Sequence, residues 1–246
     1  MTSINGYLII LVGLMGIQPF SGYADSNVGS NVAQLVLTPL SAQFETTECA
    51  RPCKKPSNIT WWMWRTPSQV ELKKANSSNS ELWTWDNGNV NYQFLMHDEK
   101  KVIEYSAVDL KMLDMMADNT KWQALTSLVS QKDLASMKKT SLKKQYKGLA
   151  LTQYNGKING IKTHIVWIAA LQIPLQMTYV YPKHQVTINL LNQDVLLAVA
   201  KATSEQALLN YQRIDYADIG DMEHSAEAKM WLSKAEDAPG INAHHH

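Results

Sequence analysis

Leu82-Trp83-Thr84-Trp85-Asp86-Asn87-Gly88-Asn89-Val90-Asn91-Tyr92-Gln93-Phe94-Leu95-Met96 reads as two strands and the turn that joins them. Apolar side chains alternate with polar ones on both sides of the turn, the period of a strand with one face on a core and the other on solvent. Asn87-Gly88 tolerates the positive φ that a two-residue hairpin requires. The same period continues outward in both directions. Ile59-Thr60-Trp61-Trp62-Met63-Trp64-Arg65 stops at Thr66-Pro67, Val70-Glu71-Leu72-Lys73 follows, and Val102-Ile103-Glu104-Tyr105 lies beyond. Five consecutive strands of this kind predict an antiparallel meander.

A helical block comes next. Val108, Leu110, Met112, Leu113 and Met116 recur at helical spacing, as do Trp122, Leu125, Leu128 and Val129 after Ala117-Asp118-Asn119, and Leu134 and Met137 form a third short piece. The methionines read as a flexible apolar face. Strands resume at Leu149-Ala150-Leu151-Thr152-Gln153-Tyr154 and, after a turn region holding Asn155-Gly156 and Asn159-Gly160, at Thr163-His164-Ile165-Val166-Trp167-Ile168. Alternation continues in Leu175, Met177, Tyr179 and Tyr181, then in Val186, Ile188 and Leu190. The expectation is a mainly β, α+β domain of about nine strands, curled by its own twist into an open half-barrel with the helical insertion on the concave side.

Composition narrows the function classes. Of 246 residues 45% are hydrophobic and 18% charged, enough for a packed core, so intrinsic disorder is excluded as the main state. A net charge of +1 argues against a dedicated nucleic-acid binder. Eight Trp and ten Tyr against three Phe favour surfaces that are half apolar and half wet, and five of the tryptophans fall between Trp61 and Trp85.

The first 24 residues carry no charged side chain and contain the apolar run Tyr7–Ile17, too short to span a bilayer, followed by small residues up to Ala24. That predicts a secretory signal peptide, and hence a periplasmic protein. Cys49 and Cys53 are the only cysteines, and in an exported chain a disulfide is the expectation, with a metal-linked or redox pair as the alternative. Residues 25–57 form an N-terminal segment holding that pair and residues 58–193 the sheet domain. Residues 194–246 form an acidic tail with net charge −5, expected to be helical around Glu205–Tyr211 and Ser225–Ala235. Residues 51–193 carry +9, so the tail either lies on a basic face or stays separate. His244-His245-His246 close the chain with no fourth metal partner beside them.

No nucleophile elbow, zinc motif or phosphate loop is present, and His97, His164, His184 and His224 are scattered singly. His97-Asp98-Glu99 reads as an exposed polar turn. Lys132, Lys138, Lys139, Lys143, Lys144 and Lys147 read as a solvated helix-to-strand edge, with attraction to anionic head groups as the functional alternative.

Lys100-Lys101-Val102-Ile103-Glu104-Tyr105-Ser106 leading into a Leu-rich helix, and Tyr154 through Ile168 leading into Ile173-Pro174-Leu175-Gln176-Met177, resemble the periplasmic lipoprotein carriers and their relatives, the LolA, LolB and RseB class. Over residues 58–193 the resemblance implies a helix-capped half-barrel whose concave apolar face accepts acyl chains or a partner's lipidated segment. The function expected is a non-catalytic carrier of a hydrophobic ligand, with no cofactor and no metal, partnered by a lipidated protein or by inner- or outer-membrane envelope proteins. Trp62, Trp64, Trp83, Trp85, Tyr92, Phe94, Trp167, Met177 and Tyr179 are the residues expected to line the face. Adjacent large residues in Trp61–Trp64 and Ile165–Ile168 put apolar groups on both faces of their strands. The second face then either binds something or lies under the N-terminal segment and the tail.

Overall fold

The computed structural model describes residues 37–115, 118–194, 202–222 and 225–236. The expected leader, residues 25–36, Met116, Ala117, His224 and the terminal histidines lie outside them. Twelve strands form a single sheet: β1 Leu40–Ala50, β2 Ser57–Arg65, β3 Gln69–Lys74, β4 Asn79–Asp86, β5 Asn89–Met96, β6 Lys101–Tyr105, β7 Lys138–Tyr146, β8 Leu149–Ile158, β9 Ile161–Ile168, β10 Ile173–Val180, β11 His184–Asp194 and β12 Gln212–Asp215. Helices α1 Ala107–Met112, α2 Asn119–Ser127 and α3 Gln131–Ser136 separate the two groups of strands. The tail adds α4 Glu205–Leu208, α5 Tyr216–Asp221 and α6 Ala226–Glu236.

The strand order is β12-β6-β5-β4-β3-β2-β1-β11-β10-β9-β8-β7, so the sheet is open, with β12 and β7 at its edges. Two antiparallel meanders are joined where β1 pairs with β11, from Ser41 opposite Asp194 to Ala50 opposite His184. The predicted β4–β5 hairpin is present, with φ 48° at Asn87 and 89° at Gly88. Asn159-Gly160 turns the chain between β8 and β9. Asn155-Gly156 does not turn and belongs to β8. A Cβ on Gly156 would lie 2.6 Å from Met137 Cγ, so this glycine lets α3 close on the sheet.

The described residues hold twelve strands where nine are expected, and each added strand has its own reason. β1 alternates, yet through Ser41, Ala42, Gln43 and Thr46, small or polar residues that give a weak signal. β7 holds Lys138, Lys139, Lys143 and Lys144 and is largely exposed, because an edge strand needs a partner and not a core, while lysines deter further pairing. β12 has only four residues and is defined by its parallel pairing with β6. The tail is therefore partly strand as well as helix. It crosses one face, adds β12 to the edge, and returns on the other face, where Tyr216 stacks on Tyr105 at 4.5 Å.

Ion pairs fasten this wrap: Lys101–Glu227 at 2.6 Å, Arg213–Glu104 and Lys234–Glu99, with the Trp231 indole N–H donating to Glu99 at 3.1 Å. On the face away from α1–α3, the Glu71 carboxylate accepts from the Thr203 N–H at 2.6 Å, the Thr203 hydroxyl at 2.8 Å and the Ser80 hydroxyl at 2.6 Å. His97 bridges Ser80 Oγ through Nε2 and the Tyr211 hydroxyl through Nδ1, each at 2.8 Å. The exposed polar turn expected at His97-Asp98-Glu99 is therefore a half-buried fastening, because two of its three side chains hold the tail.

Arg65 ends β2 with its side chain wholly buried. Its guanidinium donates to the carbonyls of Thr126 at 2.6 Å, Leu171 at 2.8 Å, Thr38 at 3.1 Å and Gln172 at 3.4 Å. Burial pushes its pKa down to about 10, so the charge persists at neutral pH.

Removing this side chain leaves several buried carbonyls without a donor. Arg65→Ala is expected to cost about 3–5 kcal/mol in urea unfolding; a change under 1 kcal/mol would mean that the carbonyls find other partners. Burial lowers the His97 pKa more than Glu71 and Asp98 raise it, with Lys73 adding to the lowering. The folded state therefore favours the neutral ring. That contribution is complete above about pH 6.5 and is lost as pH falls through the lowered folded value. A thermal melt series across this window is expected to fall with pH in the parent and to be flatter in His97→Gln; superimposable profiles would dismiss the role.

Candidate functional site

The inner face of the sheet, the one that carries α1–α3, is built from every second residue of each strand. Leu40, Ala42 and Phe44 of β1, Trp61 and Met63 of β2, Val70 and Leu72 of β3, Trp83 of β4, and Val90, Tyr92, Phe94 and Met96 of β5 pack into one cluster with Leu110 of α1 and with Trp122 and Leu125 of α2. A second cluster joins Ile165 and Trp167 of β9, Met177 of β10 and Leu134 of α3. Aromatic contacts run across the face: Trp83 to Tyr92 at 4.2 Å, Tyr92 to Tyr105 at 4.7 Å, and Trp85 to Trp122 of α2 at 5.8 Å. Such pairs add about 0.5–1.5 kcal/mol each beyond their buried area.

Seven of the nine expected lining residues lie on this face. Trp83, Tyr92, Phe94, Trp167 and Met177 are buried in it, and Trp85 and Tyr179 are half-buried at its margins. Burial pushes the Tyr179 phenol up to about 12. Trp62 and Trp64 are not brought together with the others. They alternate with Trp61 and Met63, so they point to the opposite face, where their rings stack at 6.1 Å. On that face the tail packs Leu208 against Leu82, Leu95 and Val102, so the second apolar face is in part covered by the tail.

The inner face also encloses polar groups that sequence reasoning missed. Glu81 is 0% exposed and Lys121 of α2 only 7%. The Trp83 indole N–H donates to Glu81 at 3.2 Å, and Lys121 Nζ stands 5.0 Å from the Trp83 ring centroid. Burial lowers the Lys121 pKa against the raising pull of Glu81. Burial, aided by Glu81 and Tyr105, raises the Tyr92 phenol well above its ordinary range. The Tyr92 hydroxyl is buried with no hydrogen-bond partner among the described residues, the kind of donor that folding leaves unpaired only at a cost. In the sequence, Glu81 and Lys121 look like ordinary charged residues of a strand and a helix, so no local signal marks them.

Above this face, α1 begins at Ser106, whose hydroxyl accepts from the Asp109 N–H while Asp109 caps the Ser106 N–H in return. Leu110 and Met115 turn inward and are buried. Val108 is 66% exposed and Met112 79%, and Leu113 joins them at the surface. The segment is thus apolar toward the core and toward solvent alike.

Cys49 and Cys53 form a disulfide. Among the described residues, no group of three or more His, Cys, Asp and Glu side chains could hold a metal ion. Glu71, Ser80 and His97 do not form a hydrolytic relay, in which the imidazole would sit between hydroxyl and carboxylate. Here the serine sits between the other two and is buried. Among the described residues, no helix is long and apolar enough to cross a membrane.

No protein-family model matches the chain. No curated protein matches either. Solved structures share parts of its path. PNGF-II has TM-score 0.36 and 10% identity over 75% of this chain, which spans about a third of that protein (32%). An uncharacterized conserved protein from Thermus thermophilus has TM-score 0.39 and 10% identity over 74% of this chain and 93% of the other. A putative outer membrane lipoprotein-sorting protein domain from Vibrio parahaemolyticus has TM-score 0.29 and 9% identity over 70% and 89%.

Proposed function

We propose that this protein is a non-catalytic carrier that holds a hydrophobic ligand, an acyl-chain lipid or the lipidated segment of a partner protein, on the inner face of its sheet, and that it works in the periplasm with residues 1–24 as its leader. The observation that supports this reading best is the double-sided α1 segment, which buries Leu110 in the aromatic core cluster while exposing Val108, Met112 and Leu113. Exposed clusters of large apolar side chains are uncommon on proteins that bind nothing there. In this reading α1 and α2 move aside, and Trp83, Trp85, Tyr92 and Phe94 receive the chain, with Trp167, Met177 and Tyr179 extending the lining under α3. The unpaired Tyr92 hydroxyl meets an oxygen of the ligand.

Two variants separate binding from folding. Met112→Lys with Leu113→Lys changes exposed side chains, so the melting temperature should stay within about 2 °C of the parent. Affinity for a fluorescent fatty acid should fall by about tenfold or more. Tyr92→Phe removes an unpaired buried hydroxyl, so stability should hold or rise by about 1 kcal/mol while affinity falls. Native mass spectrometry of the full chain recovered from periplasmic extract is expected to show acyl-lipid adducts. A bare mass together with no fatty-acid uptake would overturn the reading.

A further inference from the structure

The end of the sheet at which β1 finishes gathers three neighbouring turns. They are residues 51–56 between β1 and β2, 181–183 between β10 and β11, and 159–160 between β8 and β9, with the start of β7 beside them. The 51–56 turn is far from the other two in sequence and stands beside them because β1 pairs with β11, while β9–β10 pairing sets the other two together. They carry Arg51, Lys54, Lys55, Lys183, Lys157, Lys162 and Lys138, all exposed. Residues 49–58, 154–164 and 179–188 contain no Asp or Glu. Glu48 on β1 acts on Tyr181 and Asp133 on α3 acts on Tyr179, while Asp98 and Glu99 lie in the β5–β6 turn farther along the same end, with Glu99 paired to Lys234.

The rim is held in shape. The Cys49–Cys53 disulfide closes the base of the first turn. The Arg51 N–H donates to the Lys183 carbonyl at 2.8 Å and Arg51 Nη1 to the Tyr181 carbonyl at 3.3 Å, lacing the first turn to the second. The Tyr181 ring stacks on His184 at 4.1 Å. Lys157 and Lys162 lie directly opposite each other across β8 and β9, a like-charge pair that costs folding stability and that an anion relieves. Apolar side chains stand among the cations: Ile59, 45% exposed, with Pro52, Pro56, Pro182 and the half-exposed Tyr181.

We propose that this disulfide-braced rim docks the protein on the surface of an anionic lipid bilayer. Cations interleaved with Tyr, Ile and Pro at the tips of rigid turns suit the head-group layer, where charge and amphipathic side chains are both accommodated, whereas a soluble polyanion calls on charge alone. The Lys-rich stretch divides between the two ends of the sheet. Lys138 belongs to the rim, while Lys143, Lys144 and Lys147 lie at the far end of β7 and provide an internal control. The proposal is independent of the hydrophobic-ligand reading, since it uses none of the residues proposed to line the ligand site.

The test is co-sedimentation of the full chain with vesicles of phosphatidylcholine, alone or with a third phosphatidylglycerol. Binding should favour the anionic vesicles and weaken with salt. The triple variant Arg51→Gln, Lys54→Gln, Lys55→Gln should lose at least about tenfold, on the scale of about fivefold per cation removed. Lys143→Gln, Lys144→Gln, Lys147→Gln should stay within about twofold of the parent. The apolar run Tyr7–Ile17 is common to all these proteins, so binding through it does not separate them. Equal binding to both kinds of vesicle, equal loss in both triple variants, or elimination of the preference by soluble polyphosphate equally in the parent and the rim variant would overturn the proposal. Fatty-acid uptake by the rim variant should match the parent, so failure here and failure of the carrier reading are read out separately.

Discussion

Arg65 is the point at which separate parts of the chain are forced to agree. Its side chain leaves the end of β2 for the inner side of the sheet and places donors on the segment before β1, on the last turn of α2 and on the β9–β10 turn. The last carbonyls of a helix lack intrahelical partners and carry the negative end of its dipole, so a buried guanidinium there satisfies groups that folding would otherwise strand. An arginine without such acceptors could not be buried at this depth, and these carbonyls could not be buried without it. The helical block is thereby held over the junction where β1 pairs with β2 and β11, the one place at which the two meanders become a single sheet.

How much of this could be read from the sequence follows from where each signal is carried. β2 through β6 are legible because large side chains alternate along each strand and Asn87-Gly88 punctuates them. The three helices are legible from their spacing, and the disulfide from the two cysteines together with the leader that the sequence predicts. β1 and β7 are obscure because one is built from small residues and the other from lysines, and both are strands by virtue of their partners. The role of Arg65 is invisible locally, since an arginine at the end of a strand reads as a solvated terminus. The Glu71–Ser80–His97–Tyr211 fastening is equally hidden, because its members lie on four different segments with no shared spacing.

The face assignment sharpens the candidate site in a way that alternation alone could not. Trp61-Trp62-Met63-Trp64 puts large groups on both sides of β2, and nothing local distinguishes the side that packs under the helices from the other. The clusters decide it: Trp61 and Met63 join the helix-covered face, while Trp62 and Trp64 belong to the face that the tail crosses farther along the sheet. The surplus of Trp and Tyr over Phe then has a physical use. Polar tips of aromatic residues make hydrogen bonds inside apolar layers, as Trp61 does to the Thr46 hydroxyl at 2.9 Å and Trp83 to Glu81.

Against that pattern stand Trp64, whose indole N–H is buried on the opposite face without a hydrogen-bond partner among the described residues, and Tyr92 on the inner face. A phenylalanine at position 92 would bury the same ring between Trp83 and Tyr105 without stranding a hydroxyl, and elsewhere the fold uses Phe44 and Phe94 in comparable positions. Keeping a hydroxyl near buried Glu81 gives the apolar face one small polar region, with Lys121 over the neighbouring Trp83 ring. A purely hydrocarbon ligand would gain nothing from such a region. A ligand with an ester or carboxyl group at the head of an acyl chain would be oriented by it, head toward Tyr92 and chain along the apolar side chains around it, so that orientation as well as affinity would come from the same face.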